Sequence, residues 1–105
     1  MYIAAAAESE AIAVSPHNYN STTMALSATV HASACMPNFI ITEYFLPFEE
    51  LGQRLCPDAL RPVDGYIALP QGPGLGLSVD ESAVRAAKGK EFPARTFRSP
   101  EDEGP

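Results

Sequence analysis

Two short apolar runs, Ala11-Ile12-Ala13-Val14 and Phe39-Ile40-Ile41-Thr42, set the rhythm of the first half of the chain. Continuous runs of this length predict strands covered on both faces, as in a parallel sheet. Pro16 stops the first run, and Met36-Pro37-Asn38 precedes the second. Between them Leu26, Val30 and Ala34 recur at helical spacing, which predicts a helix over Thr22 to Cys35 with Asn20 or Ser21 as its cap. The many Ala and Ser residues of that segment would let it pack closely on a sheet. Upstream, Ile3 to Glu10 is alanine-rich and helix-favouring but short and uncapped, and reads as the end of a helix that begins elsewhere. The order helix, strand, helix, strand predicts a βαβ unit.

The pattern changes after the second run. Phe48, Leu51 and Leu55 predict a short helix that Pro57 ends, and seven of the ten prolines lie from Pro57 onward. Asp64-Gly65 predicts a tight turn between short hairpin strands at Leu60 to Val63 and Tyr66 to Leu69. Gly72-Pro73-Gly74-Leu75-Gly76 predicts a rigid turn, and Asp80 a cap for a last helix over Glu81 to Ala87. From Lys88 the chain is polar and proline-punctuated, as in an extended tail. The expected organisation is therefore a barrel-like part over 1–56, a closing segment over 57–87 and a tail over 88–105.

Composition bounds the partners. At 105 residues the chain makes at most one small domain, and its net charge of −6 disfavours nucleic acid and anionic membrane. No Lys or Arg occurs before Arg54, so the first half reads as the interior of something larger. The early Ala-rich run lacks a positive flank and is broken by Glu8 and Glu10, unlike a signal peptide. No apolar stretch approaches the ~20 residues that span a bilayer. Cys35 and Cys56 make neither a CxxC pair nor a zinc pattern, and Cys35 is expected to be a small buried residue. A reducing cytoplasm fits that usage.

Candidate chemistry collects at the ends of the two apolar runs. His17 follows the first, in Ser15-Pro16-His17-Asn18, and can take or give a proton near neutral pH. Glu43 ends the second, where an acid within Ile-Ile-Thr-Glu-Tyr-Phe must be exposed or paired. Consecutive parallel strands that each end in an ionisable residue suggest one mouth of a barrel, where catalytic groups gather. The bland alternatives are a loop histidine satisfied by water and a strand end reaching solvent. His31 lies mid-helix and is expected to pack or face solvent rather than to catalyse. The Gly72 to Gly76 run lacks the strand and Lys-Ser/Thr of a phosphate loop, and no GxSxG elbow is present. His17 with Glu43 falls short of the three ligands a metal site normally wants, so no metal ligand is assigned in this chain.

Ala4-Ala5-Ala6-Ala7-Glu8, then Ala13-Val14-Ser15-Pro16-His17-Asn18, then Pro37-Asn38-Phe39-Ile40-Ile41-Thr42-Glu43-Tyr44 resemble the end of an enolase-superfamily barrel. The subgroup is that of mandelate racemase and acid-sugar dehydratases such as galactonate dehydratase. Asp64-Gly65-Tyr66-Ile67, Gly72-Pro73-Gly74-Leu75-Gly76 and Asp80 resemble its closing segment, and the match spans about residues 3 to 87.

The resemblance implies an α/β fold: the last two strands and connecting helix of a TIM-type (β/α) barrel, plus a closing segment. It implies that His17 is a general base or acid at the carbon beside the substrate carboxylate and that Glu43 helps stabilise the enediolate. Asn18, next to His17, is the candidate for contacting substrate. Mg²⁺ is implied for the full-length family enzyme, on carboxylates of earlier strands and not on residues of this chain. The implied partners are a small acid-sugar-like carboxylate and the N-terminal barrel and capping domain that this sequence lacks. The chain is thus expected to be a truncated or partial product, inactive by itself. The alternative is a non-catalytic remnant that kept a barrel end and binds a partner. The run Asn18-Tyr19-Asn20-Ser21-Thr22 departs from the proline- and glycine-containing turn often found after this histidine in sugar-acid dehydratases, which leaves substrate identity open.

Overall fold

A computed structural model describes residues 1–87 and Gly89. The expected tail from Lys88 otherwise lies outside the described residues. Four α-helices, α1 (Tyr2–Ser9), α2 (Thr23–Ser33), α3 (Glu49–Leu55) and α4 (Glu81–Ala86), are joined by extended segments, with a 3-10 turn at Leu46–Phe48 leading into α3.

The two expected strands are reduced to one parallel bridge, between Val14 and Phe39. Val14 N–H donates to the Asn38 carbonyl at 2.8 Å, and Ile40 N–H donates to the Val14 carbonyl at 3.1 Å. The direction of pairing is the expected one, but full strands are not formed. Ala11, just past the C-cap Glu10 of α1, is taken up at φ 55° by the helix stop, and among the described residues no further strand flanks the pair to extend a ladder. Nor are the apolar runs covered on both faces: Ile12, Ile40 and Ile41 are 57%, 66% and 62% exposed.

A left-handed residue, Ala11, follows the C-cap Glu10 of α1. Ala11 N–H donates to Glu8 O at 3.0 Å and Ile12 N–H to Ala7 O at 2.9 Å, the paired bonds of a Schellman stop, with Ala where Gly is usual. Asn38 ties this helix to the bridge, its Nδ2 donating to Ala4 O at 3.0 Å and Ile12 O at 2.9 Å.

α2 begins one residue later and ends two residues earlier than the sequence predicts. Its cap position is Thr22, without a side-chain capping bond, rather than Asn20 or Ser21. Asn20 instead takes a left-handed conformation (φ 58°) in the preceding turn. Leu26 is buried on α2, whereas Ala34 is exposed. Cys35 is also exposed, contrary to expectation, because the helix has ended and its side chain lies off the packed face. The buried thiol is Cys56, at the C-terminus of α3, where burial pushes its pKa up.

The buried apolar residues Leu26, Leu55 and Cys56 mark the seam between α2 and α3. Gly52 allows the close approach, since a Cβ there would stand 3.3 Å from Thr23 Cβ.

The closing segment holds to this seam by polar bonds. Thr23 Oγ1 accepts from Leu60 N–H at 3.2 Å. Leu75 O accepts from Ser27 Oγ at 2.6 Å and lies 3.3 Å from His31 Nε2, so His31 packs against this segment. Both Asp58 carboxylate oxygens accept from Ser78 N–H, and Asp80 N–H donates to Leu55 O at 2.8 Å. The hairpin strands contract to a single antiparallel bridge, Val63 with Tyr66, around Asp64 (φ 50°) and Gly65 (φ 82°). Two successive positive φ values make the type I′ turn that Asp-Gly favours. Asp80 caps α4 as expected, accepting from Ala83 N–H at 3.0 Å.

Candidate active site

The bridge places the residues after Val14 and those after Phe39 at the same end of two parallel segments. His17 and Glu43 meet there, with His17 Nε2 3.5 Å from Glu43 Oε2. The imidazole is 78% exposed and the carboxylate 48% exposed, so the pair faces open space.

The backbone that carries His17 is held on both sides. Thr42 Oγ1 donates to Pro16 O at 3.0 Å. On the other side Asn18 N–H donates to Glu43 Oε2 at 2.7 Å. The Asn18 side chain turns inward and is only 3% exposed. Its Nδ2 donates to Glu43 O at 3.4 Å, and its Oδ1 lies 3.5 Å from Thr29 Oγ1 on α2.

Beside the pair runs a row of rings. The Tyr19 ring stacks on His17 at 6.2 Å between centroids, and Phe45 and Phe48 continue the row edge-to-face at 4.8 and 4.9 Å. Tyr44 hydroxyl donates to Glu49 Oε2 at 2.7 Å. Burial, then the bond to Glu49, pushes its pKa up to about 12, so the phenol is a fixed donor and not a base.

A cavity of about 20 Å³ lined by Asn18, Tyr44, Phe48 and Glu49 has room for one water and not for a substrate. A larger apolar groove of about 370 Å³ lies between α2 and the Val63–Tyr66 turn and is lined by neither His17 nor Glu43. A reactant at this pair must therefore sit over its exposed side. For a metal the residues are too few, since no group of three His, Cys, Asp or Glu side chains converges among the described residues. One carboxylate and one imidazole do not fit Mg²⁺, which wants an octahedron of oxygens.

Thr42, Thr29 and Glu49 carry this arrangement without having stood out in the sequence. Thr42 sits beside Glu43 and was legible as a neighbour. Nothing in the periodicity of α2 marks Thr29.

A family model described as enolase C-terminal domain-like matches residues 1–83. The chain belongs to that family. A D-galactonate dehydratase family member of Streptomyces bingchenggensis is 35% identical over 81 residues, which is 76% of this chain and 20% of that protein. Among solved structures, one of the mandelate racemase/muconate lactonizing enzyme group from Burkholderia SAR-1 matches with a TM-score of 0.76 at 27% identity, over 84% of this chain and 22% of its own. A mandelate racemase/muconate lactonizing enzyme from Sulfitobacter matches with a TM-score of 0.71 at 29% identity, over 94% and 25%. The chain thus spans about a fifth of the length of the Streptomyces relative. These neighbours carry the enolase C-terminal domain, a TIM-barrel-type fold. No helix among the described residues is long and apolar enough to cross a membrane.

Proposed function

We propose that this chain supplies the acid–base end of an enolase-superfamily active site of the mandelate racemase or acid-sugar dehydratase type. The observation that carries the reading is the 3.5 Å approach of His17 Nε2 to Glu43 Oε2 at the carboxyl ends of two parallel segments, in a chain of this family. The substrate is a small acid-sugar-like carboxylate bearing a proton on the adjacent carbon. His17 takes that proton on a ring nitrogen, and the C–H electron pair passes into the carboxylate to give an enediolate. Glu43, when protonated on Oε1, donates a hydrogen bond to the oxygen where charge grows. The Tyr19 ring lies beside the imidazole, 6.2 Å between centroids, and leaves most of it within reach of a reactant.

Mg²⁺ belongs to the reading at the level of the whole family enzyme, since the described residues make no site for it. The same holds for the remaining barrel and capping domain, for the division into 1–56, 57–87 and 88–105, and for a cytoplasmic location.

The test is a graft of residues 1–83 in place of the matching segment of the Streptomyces relative. On an acid sugar whose proton beside the carboxylate the unaltered relative exchanges with solvent deuterium, the graft should do the same, and His17→Asn should abolish that exchange while the protein stays folded and binds Mg²⁺. Unchanged exchange in His17→Asn would show that another group is the base. A second reading, a non-catalytic module that docks a partner, draws support from the exposure of Ile12, Ile40 and Ile41. A folded graft without exchange would favour it.

A further inference from the structure

We propose that Asn18 is a positioning residue that sets the orientation of the Glu43 carboxylate, rather than a group that contacts substrate. The inference rests on the acid–base reading of His17 and Glu43 and adds to it the device that fixes one against the other.

A carboxylate at a segment end, half exposed, would rotate freely about its last bond, and either oxygen could face His17. The Asn18 backbone N–H removes that freedom. It occupies Oε2 at 2.7 Å, the same oxygen that lies 3.5 Å from His17 Nε2. No hydrogen bond from the described residues reaches Oε1, which is left to face a reactant. Because the donor is a main-chain group, its position depends on what holds residue 18 in place. The Asn18 side chain does this from inside, through Nδ2 on the Glu43 carbonyl at 3.4 Å and Oδ1 beside Thr29 Oγ1 at 3.5 Å. One residue therefore grips both the main chain and the carboxylate of Glu43. With 3% of its surface exposed and its amide directed at these partners, Asn18 has little left to offer a substrate. A side chain with the same two polar ends is needed here. Alanine leaves the cage empty, and Asp cannot donate to the Glu43 carbonyl.

The experiment is amide hydrogen exchange followed by NMR on the full chain, which needs no turnover and so succeeds or fails separately from the acid–base reading. In the unsubstituted chain the residue 18 amide should exchange at least about tenfold more slowly than an open loop amide. Glu43→Ala should abolish that protection, and His17→Asn should leave it. In Asn18→Ala the residue 18 amide should become unprotected while the Val14 and Ile40 amides of the bridge stay protected. Thr29→Val, which keeps the Nδ2 bond, should lose only part of the protection. Persisting protection in Asn18→Ala would overturn the proposal, because the side chain would not be the anchor. Loss of protection at Val14 and Ile40 in both Asn18→Ala and Thr29→Val would overturn it too, showing a role in holding the fold rather than the carboxylate.

Discussion

Residues 1–56 and residues 57–87 are held by different forces. The first part has its buried side chains at the α2–α3 seam, chiefly Leu26, Leu55 and Cys56, while its bridge segments leave Ile12, Ile40 and Ile41 in the open. The second part contributes no buried apolar residue at all. It is fastened by directional bonds: Asp58 on Ser78, Leu55 O on Asp80 N–H, Leu75 O on Ser27 and Thr23 on Leu60. Apolar burial is insensitive to direction and to pH, whereas bonds to carboxylates are neither. The two regions should therefore fail under different insults.

The largest expected effect falls on the seam. Leu26→Ala removes the main buried side chain of α2 and should cost about 2–4 kcal/mol, read as a lowered denaturant midpoint. A loss below ~1 kcal/mol would mean that burial does not hold this region. Asp80→Ala should have a smaller effect, confined to α4 because it removes only that helix's N-cap, and visible as faster exchange of the Ala83 amide. A global fall in midpoint would instead show that the closing segment and the seam unfold as one.

Acid should separate the regions without substitution. Hydrogen bonds from Ser78 hold the Asp58 carboxyl below its ordinary pKa, and those from Ser82 and Ala83 do the same for Asp80. For a carboxyl with a lowered folded pKa, the stabilisation is fully present above the unfolded value, about 4, and is lost as pH falls through the folded one. The Ser78 and Ala83 amides should thus lose protection below about pH 4 while amides of α2 keep theirs. Alkali acts on Tyr44, whose raised pKa makes its contribution complete below about 10 and lost as pH climbs towards 12. Phenolate absorbance of that residue should appear only above the ordinary tyrosine range, as pH climbs towards 12.

The smallest expected effect has the opposite sign. Ala11→Gly relieves a left-handed alanine at the end of α1 and should stabilise the chain by about 0.5 kcal/mol, since the strain relieved is partly offset by glycine's greater unfolded freedom. A destabilised variant would indicate that the alanine methyl makes a contact worth more than the strain.

Much of this was legible where a local rule suffices. The existence of α2, the stop of α3 at Pro57, the I′ turn at Asp64-Gly65 and the Asp80 cap each depend on a few adjacent residues, and the structure has them, although of the Leu26, Val30, Ala34 stripe only Leu26 is buried. The strands depend on neighbours that a single βαβ unit does not bring, so two apolar runs gave one bridge. The α2 cap went wrong because Asn20 could serve either as cap or as turn residue, and the turn took it. His17 and Glu43 were legible as residues at run ends, but their spacing of 3.5 Å came from the parallel pairing. The inward turn of Asn18 was not legible, because its partners lie on α2 and across the bridge, and sequence order brings neither near it.

Asn18 and Glu43, though hydrogen-bonded, stand 25 residues apart in the chain, with all of α2 between them. Bringing them together closes a loop whose entropy must be overcome before the single bridge at Val14 and Phe39 gives anything back. A helix can form from neighbours in sequence, but this junction cannot, and non-local pairings of this kind are slow to form. The candidate active site should accordingly be among the last features to appear during folding. A nascent chain cannot make the His17–Glu43 approach until Glu43, 25 residues after Asn18, has itself been made.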